Sequence, residues 1–207
     1  MSTAREQVLR DIRSTLPVEA ALPLLTGPWT HYDDPRQQFI EVLRGVGGVG
    51  KAVAGRTLLK GEIEKIIESL NAKRVCSVLR EVIAGNVDLS TVGDPHELAD
   101  VDLAILPGEL AVAENAAVWV TGTRVPERVL YFLSQHVVLI VPAGRLVNNM
   151  HEAYEWLRSE SRESAGPFAA AKWGTFMSGP SKTADIEQAL VIGAHGARSL
   201  HVFLVEE

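Results

Sequence analysis

VDLAILPGELAVAENAAVWVTGTRVPERVLYFLSQHVVLIVP, residues 101–142, holds three short apolar runs and one helical pattern. VDLAIL, VWVT and HVVLIVP are too short for buried helices, and the last two are rich in Val, so they read as strands. VPERVLYFLS, between the second and third, reads as a helix. Apolar runs that do not alternate with polar residues imply strands buried on both faces, as in a parallel sheet. The same grammar continues outside this stretch. GEIEKIIESL (61–70) and LVNNMHEAYEWLRSES (146–161) are amphipathic helices, whereas RVCSVL (74–79) and LHVFLVEE (200–207) are short buried strands. Alternating strands and helices predict an α/β fold with a mainly parallel central sheet flanked by helices.

Towards the amino terminus, Val8, Leu9 and Ile12 fall at helical spacing within residues 3–15. A turn-rich connector, TGPWTHYDDP (26–35), follows, with Trp29 and Tyr32 as packing anchors. DDPRQQFIEVLR (33–44) opens with acids and Pro, as a helix start does, and sets Phe39, Ile40 and Leu43 on one face. Gly45 stands where a helix end favours a left-handed residue. From Gly45 to Lys51 the chain also fits G-x-x-x-x-G-K, most of a phosphate-binding loop. Ala52 replaces the Ser or Thr that would reach magnesium, and the run closes a helix instead of following a strand. A helix stop with a flexible connector is the better account. The polar stretch SESRESAGPFAA (159–170) is the expected mobile loop.

Composition narrows the function classes. The 207 residues suit a single domain, and 46% hydrophobic with a net charge of -6 is ordinary for a globular chain. No Lys/Arg cluster supplies the electrostatic footprint of a nucleic-acid binder. No apolar run is long enough to span a bilayer, and the charged start MSTAREQVLRDIRSTL does not read as a signal peptide, so a cytoplasmic location is expected. The single cysteine, Cys76, makes neither an internal disulfide nor the thiolate cluster of an iron–sulfur centre. The scattered histidines offer no zinc pair, and no cofactor or metal is expected.

A second stretch carries the chemistry: GTFMSGPSKTADIEQALVIGAHGARSLHVFLVEE, residues 174–207. The apolar period breaks into Ser178, Gly179, Pro180, Ser181, Lys182 and Thr183. Asp185 and Glu187 follow, and then Gly193, Ala194, His195 and Gly196. Small residues let the backbone curve so that several N–H groups converge, which is the composition of an anion-holding turn. A helix beginning near Thr183 would favour the same negative charge. An ordinary turn and helix cap is the competing account. Asp185 and Glu187 are two apart, so they would not share a helix face as an acid/base pair.

SGPSKTADIE (178–187), followed by GAHG (193–196), resembles the carboxyl-terminal signature of the LUD domain family of lactate-utilization proteins. The resemblance runs from about residue 35 to the end, which sets residues 1–34 apart as a helical extension. It implies a fold like that of the ribose-5-phosphate isomerase and CoA-transferase group. It also implies a role in L-lactate oxidation as the component without iron–sulfur clusters, beside partner proteins that carry them. The ligand it implies is a small organic acid or phosphorylated compound. The binding residues it points to are Ser178 to Thr183, Asp185, Glu187, Gly193 and Gly196, with Glu114 and His195 as the catalytic candidates. The family commonly reads A-E-T-G-T where this chain has Ala113-Glu114-Asn115-Ala116-Ala117, and Ala197 replaces its usual Pro.

Glu114, before VWVT, and the bend, after TFM, are both expected at a crevice beyond the carboxyl ends of the strands. There Glu114 could serve as base or nucleophile, or fix a loop by bonding backbone amides. His195 could donate to an anion or shuttle a proton, or pin the Gly-rich turn. Two other readings stay open: a stand-alone isomerase or CoA-transferase-like enzyme, and a regulatory binding module without chemistry.

Overall fold

The computed structural model describes residues 3–16, 21, 24–162, 173–184 and 190–206. Five strands form a fully parallel sheet: β1 (Val49–Ala54), β2 (Val75–Ser77), β3 (Leu103–Pro107), β6 (His136–Pro142) and β11 (Ser199–Glu206), in the order β1-β11-β6-β3-β2. Register aligns Leu103, His136 and Ser199 at the amino ends of the three central strands, and Pro107, Ile140 and Phe203 near their carboxyl ends. All of β3 is buried, as the unbroken apolar run requires.

The sheet's two faces pack on different partners. Val53, Val75, Leu103, Ile105, Val138 and Phe203 face helix α3 (Gly55–Leu70) and meet its Leu59 and Ile63. Cys76, Ala104, Leu106, Leu139, Val202 and Leu204 face the other way, onto Phe39 and Leu43 of α2 (Pro35–Gly45) and onto a second sheet. That sheet has the order β7-β4-β5-β8, from β4 (Leu110–Val112), β5 (Ala117–Thr121), β7 (Leu146–Val147) and β8 (Gly174–Met177). Its strands alternate strictly. Val118 and Val120 join the main core, whereas Ala117 and Trp119 turn outward to Ala153 of helix α5 (Met150–Arg162).

The parallel sheet and its helices match the sequence expectation, with three differences. VWVT is a strand, but it lies in the second sheet, antiparallel to β4 and β8. The helix expected over VPERVLYFLS is the short α4 (Leu130–Leu133). The connector after α2 is not flexible linker: Gly47 takes the left-handed turn at φ 85°, and the next residues form β1. Edge position explains why β1 was illegible, because only Val53 of its six residues is buried. Lys51 sits on that strand and pairs with Glu62 of α3 at 2.6 Å, which holds the Glu62 carboxyl down to about 2. The phosphate-loop pattern is thereby closed as coincidence.

Helix α1 (Ala4–Ser14) is closed by a capping box between Thr3 and Glu6, and it buries none of its residues. Trp29 stacks on His151 with ring centroids 3.5 Å apart, and the Tyr32 amide donates to Asn148 Oδ1, so the connector is anchored on the start of α5. Residues 163–170 of the expected mobile loop lie outside the described residues; 159–162 belong to α5. Among the described residues no helix is long and apolar enough to cross a membrane.

Candidate functional site

The bend after β8 is shaped by glycine. Gly179 has φ 74°, and a methyl group built on it would lie 2.9 Å from the Val46 carbonyl oxygen. Only glycine permits both the left-handed backbone and that approach. The two glycine-rich stretches therefore meet: a methyl on Gly47 would sit 3.7 Å from Pro180 Cγ and 3.8 Å from Lys182 Nζ. Ser178 is exposed, and its hydroxyl donates to the Asn115 carbonyl at 2.7 Å.

Where a helix was expected to begin, near Thr183, the described chain is extended, and residues 185–189, through which that helix would run, lie outside the described residues. Lys182 and Thr183 form β9 (Lys182–Thr183), antiparallel to β10 (Val191–Ile192). Asp185 and Glu187 lie outside the described residues. The Ser181 N–H donates to the Ala197 carbonyl at 2.9 Å, and the Gly193 N–H to the Ser181 carbonyl at 2.8 Å. The expected convergence of bend amides on a guest thus loses Ser181's. What remains is a cavity of about 300 Å³ onto which Gly179, Ser181, Lys182, His195 and Gly196 open, floored by Tyr131, Met177 and Leu200. Gly193 is held beside it at φ 71° by close packing on Arg198.

This cavity lies at the amino ends of the parallel strands. Leu200 is the second residue of β11, and Arg198 just before that strand donates its N–H to Gln135, just before β6. The expectation of a carboxyl-end crevice placed the bend at the wrong edge, because β8 belongs to the second sheet and delivers its chain to the opposite rim.

Glu114 stays near the bend without joining the cavity. It occupies the β4–β5 turn beside Asn115, and its carboxylate accepts the Met150 N–H at 2.9 Å. Its own N–H donates to the Asn148 carbonyl. A carboxylate on the first amides of a helix matches the helix dipole, and this is the loop-fixing geometry. In the same turn Ala116 is left-handed, φ 53°, at the position where the family resemblance has Gly. Ala197 is 5% exposed and packs in the main core. His136 bonds Ser199 Oγ at 2.8 Å.

One group escaped the sequence reading. Glu109 follows the end of β3 and is buried, with Arg124 Nε at 3.1 Å and Arg145 Nη1 at 3.4 Å. A lone carboxylate inside the apolar stretch AILPGELAVA was the available signal, since charges are rarely buried unless paired. The Tyr131 hydroxyl ties the two sheets together, lying 3.3 Å from the Pro107 carbonyl of β3 and 3.2 Å from the Thr121 carbonyl of β5. Burial pushes that phenol well above its ordinary range, and burial pushes the Cys76 thiol up to about 11.

Comparison with known proteins adds a lineage to this geometry. A model of the LUD domain matches residues 95–205. Lactate utilization protein C of Shouchella clausii is 30% identical over 111 residues, 54% of this chain and 46% of that protein. Its namesake in Geobacillus thermodenitrificans is 31% identical over 103 residues, 50% of this chain and 41% of that protein. The chain therefore spans about half the length of the curated relatives it matches. A crystal structure of a DUF162 family protein from Deinococcus radiodurans superimposes with a TM-score of 0.57 at 18% identity, covering 83% of this chain and 96% of that one. At that identity the likeness is one of fold.

Proposed function

The chain belongs to the LUD domain family, and from that membership we propose that it serves L-lactate utilization as a component without iron–sulfur chemistry, holding a small carboxylate or similar anion beside His195. The observation that carries the reading is the convergence of Gly179, Ser181, Lys182, His195 and Gly196 on one cavity of about 300 Å³. Lys182 supplies positive charge, the Ser181 hydroxyl and the His195 ring supply hydrogen-bonding groups, and the glycines leave room for the guest. Such a site binds and orients. In this reading electrons from lactate oxidation would pass to partner proteins, since a single cysteine cannot ligate an iron–sulfur cluster. Glu114 acts in this reading as a positioning residue that fixes the start of α5.

The test is genetic and biochemical together. Deletion of the gene should abolish growth on L-lactate, and the intact chain should restore it. Lys182→Ala and His195→Ala should restore it poorly while the purified variants melt within a few degrees of the parent. A deletion strain that oxidises L-lactate at the parental rate would overturn the reading.

A further inference from the structure

We propose that the amino-end cavity selects a carboxylate that carries an aromatic ring, in preference to lactate itself. The inference rests on the anion-holding reading of that cavity and narrows its guest. Size is the first reason. The cavity measures about 300 Å³. That is the liquid share of roughly ten waters, whereas lactate displaces on the order of four. Sites for ring-bearing small molecules begin near this volume.

The lining divides into two chemical sets. Ser181, Lys182 and His195 supply the polar set, from the bend and the 193–196 turn, and among the described residues no carboxylate lines the cavity. A guest anion therefore meets Lys182 without a competing negative charge on the wall. Tyr131 and Phe132 of α4, with Met177 at the end of β8, supply the apolar set. Tyr131 offers only its ring, because its hydroxyl is taken up by the Pro107 and Thr121 carbonyls. Phe132 is 42% exposed, yet its ring is braced. Trp173 meets it edge-on, with centroids 5.9 Å apart and planes at 82°, and Tyr131 meets it at 6.4 Å and 61°. Gly196 ties the two sets together: a methyl built on it would lie 3.0 Å from Ser181 Cβ and 3.5 Å from the Phe132 carbonyl oxygen. A positive charge and a fixed aromatic surface thus open on one space. Rings held in place give contact area at little ordering cost, ring pairs gain from edge-on and offset packing, and a thioether adds a polarizable contact. A carboxylate on Lys182 with a ring against Phe132 and Met177 uses both sets. Lactate would leave the exposed Phe132 ring in water.

The experiment is a calorimetric titration of the full chain with L-phenyllactate, L-lactate and the cyclohexyl analogue of phenyllactate, with amide NMR to locate the bound acid. Phenyllactate should shift the amides of Phe132, Ser181 and Gly196, bind about tenfold more tightly than lactate, and exceed its cyclohexyl analogue by a few-fold. Phe132→Leu, at an exposed position, should melt close to the parent and narrow the phenyllactate-over-lactate preference about fivefold. Lys182→Ala should weaken both acids by similar factors. Lactate binding as tightly as phenyllactate would overturn this inference and leave the anion-holding reading intact. An equally tight cyclohexyl analogue, or a preference unchanged in Phe132→Leu, would overturn the assignment to an aromatic guest. Phenyllactate binding that Lys182→Ala leaves unchanged, or no binding of any of the three acids, would overturn the anion-holding reading and this inference with it.

Discussion

At the amino ends of β1 and β11 the chain makes its surface from backbone: Gly179 turns against the Val46 carbonyl, and Ser181 and Ala197 close a main-chain bond. At the carboxyl ends the surface is made from side chains, with a buried Glu109 holding two half-exposed arginines over apolar walls. The first arrangement is rigid because a Cβ has nowhere to go. The second is adjustable, because long cationic side chains pivot on one fixed carboxylate. Shape is the sensitive quantity at one end and charge at the other, and substitutions should separate the two.

The largest effect is expected from Gly179→Ala, which forces a Cβ into a left-handed position 2.9 Å from a carbonyl oxygen. Strain of this kind costs about 1–3 kcal/mol, and denaturant unfolding should register a loss towards the upper part of that range. A fully stable variant would break the contrast. Glu109→Gln should cost less, about 1–2 kcal/mol, since the lost charge-assisted bonds reach arginines that are half in water. Its fingerprint should be electrostatic: the penalty shrinks as salt is raised, whereas the Gly179→Ala penalty does not.

A smaller effect concerns pH at the amino end. Burial first, and then the Arg198 charge, lower the His136 pKa; burial, and then His136, lower that of His201. Asp102 faces the same histidine and opposes the shift. Both rings are thus neutral when folded at pH values where the unfolded chain already binds a proton. Stability is therefore full above the ordinary histidine pKa and falls as pH drops through it. The melting temperature should be lower at pH 5.5 than at pH 7.5, and His136→Asn should flatten that slope. An unchanged slope in the variant would assign the pH dependence elsewhere. The smallest effect is Ala116→Gly. Relief of about 1–2 kcal/mol of left-handed strain is offset by loss of a buried methyl group worth about 0.8 kcal/mol, leaving a gain of about 0.2–1.2 kcal/mol. Calorimetry should find the variant equal to or slightly above the parent.

Legibility followed burial. VDLAIL, HVVLIVP and LHVFLVEE each hold at least four consecutive apolar residues because β3, β6 and β11 are covered on both faces, so composition alone disclosed them. The edge strand β1 has one covered residue, and three glycines precede it from the end of α2 onward, so GVGGVGK looked like linker. VWVT disclosed a strand but not its sheet, since antiparallel pairing to β4 depends on the turn through Ala116 and not on the run itself. At the bend, small residues correctly indicated tight backbone and close approach. The helix anticipated after it falls largely on residues 185–189, outside the described residues; on either side of them Lys182 and Thr183 pair with Ile192 and Val191 as a short antiparallel ribbon.

Local chemistry, then, was enough to disclose the buried strands of the parallel core and the family signature, because burial and left-handed turns leave marks in composition. Which rim of the sheet receives the signature bend, and which side chains gather opposite it, follow from contacts between segments far apart in the chain. Gly47 under Lys182, Ser178 on Asn115 and Glu109 between Arg124 and Arg145 are such contacts. No short window contains both members of those pairs, and their meeting depends on how the second sheet packs across the first.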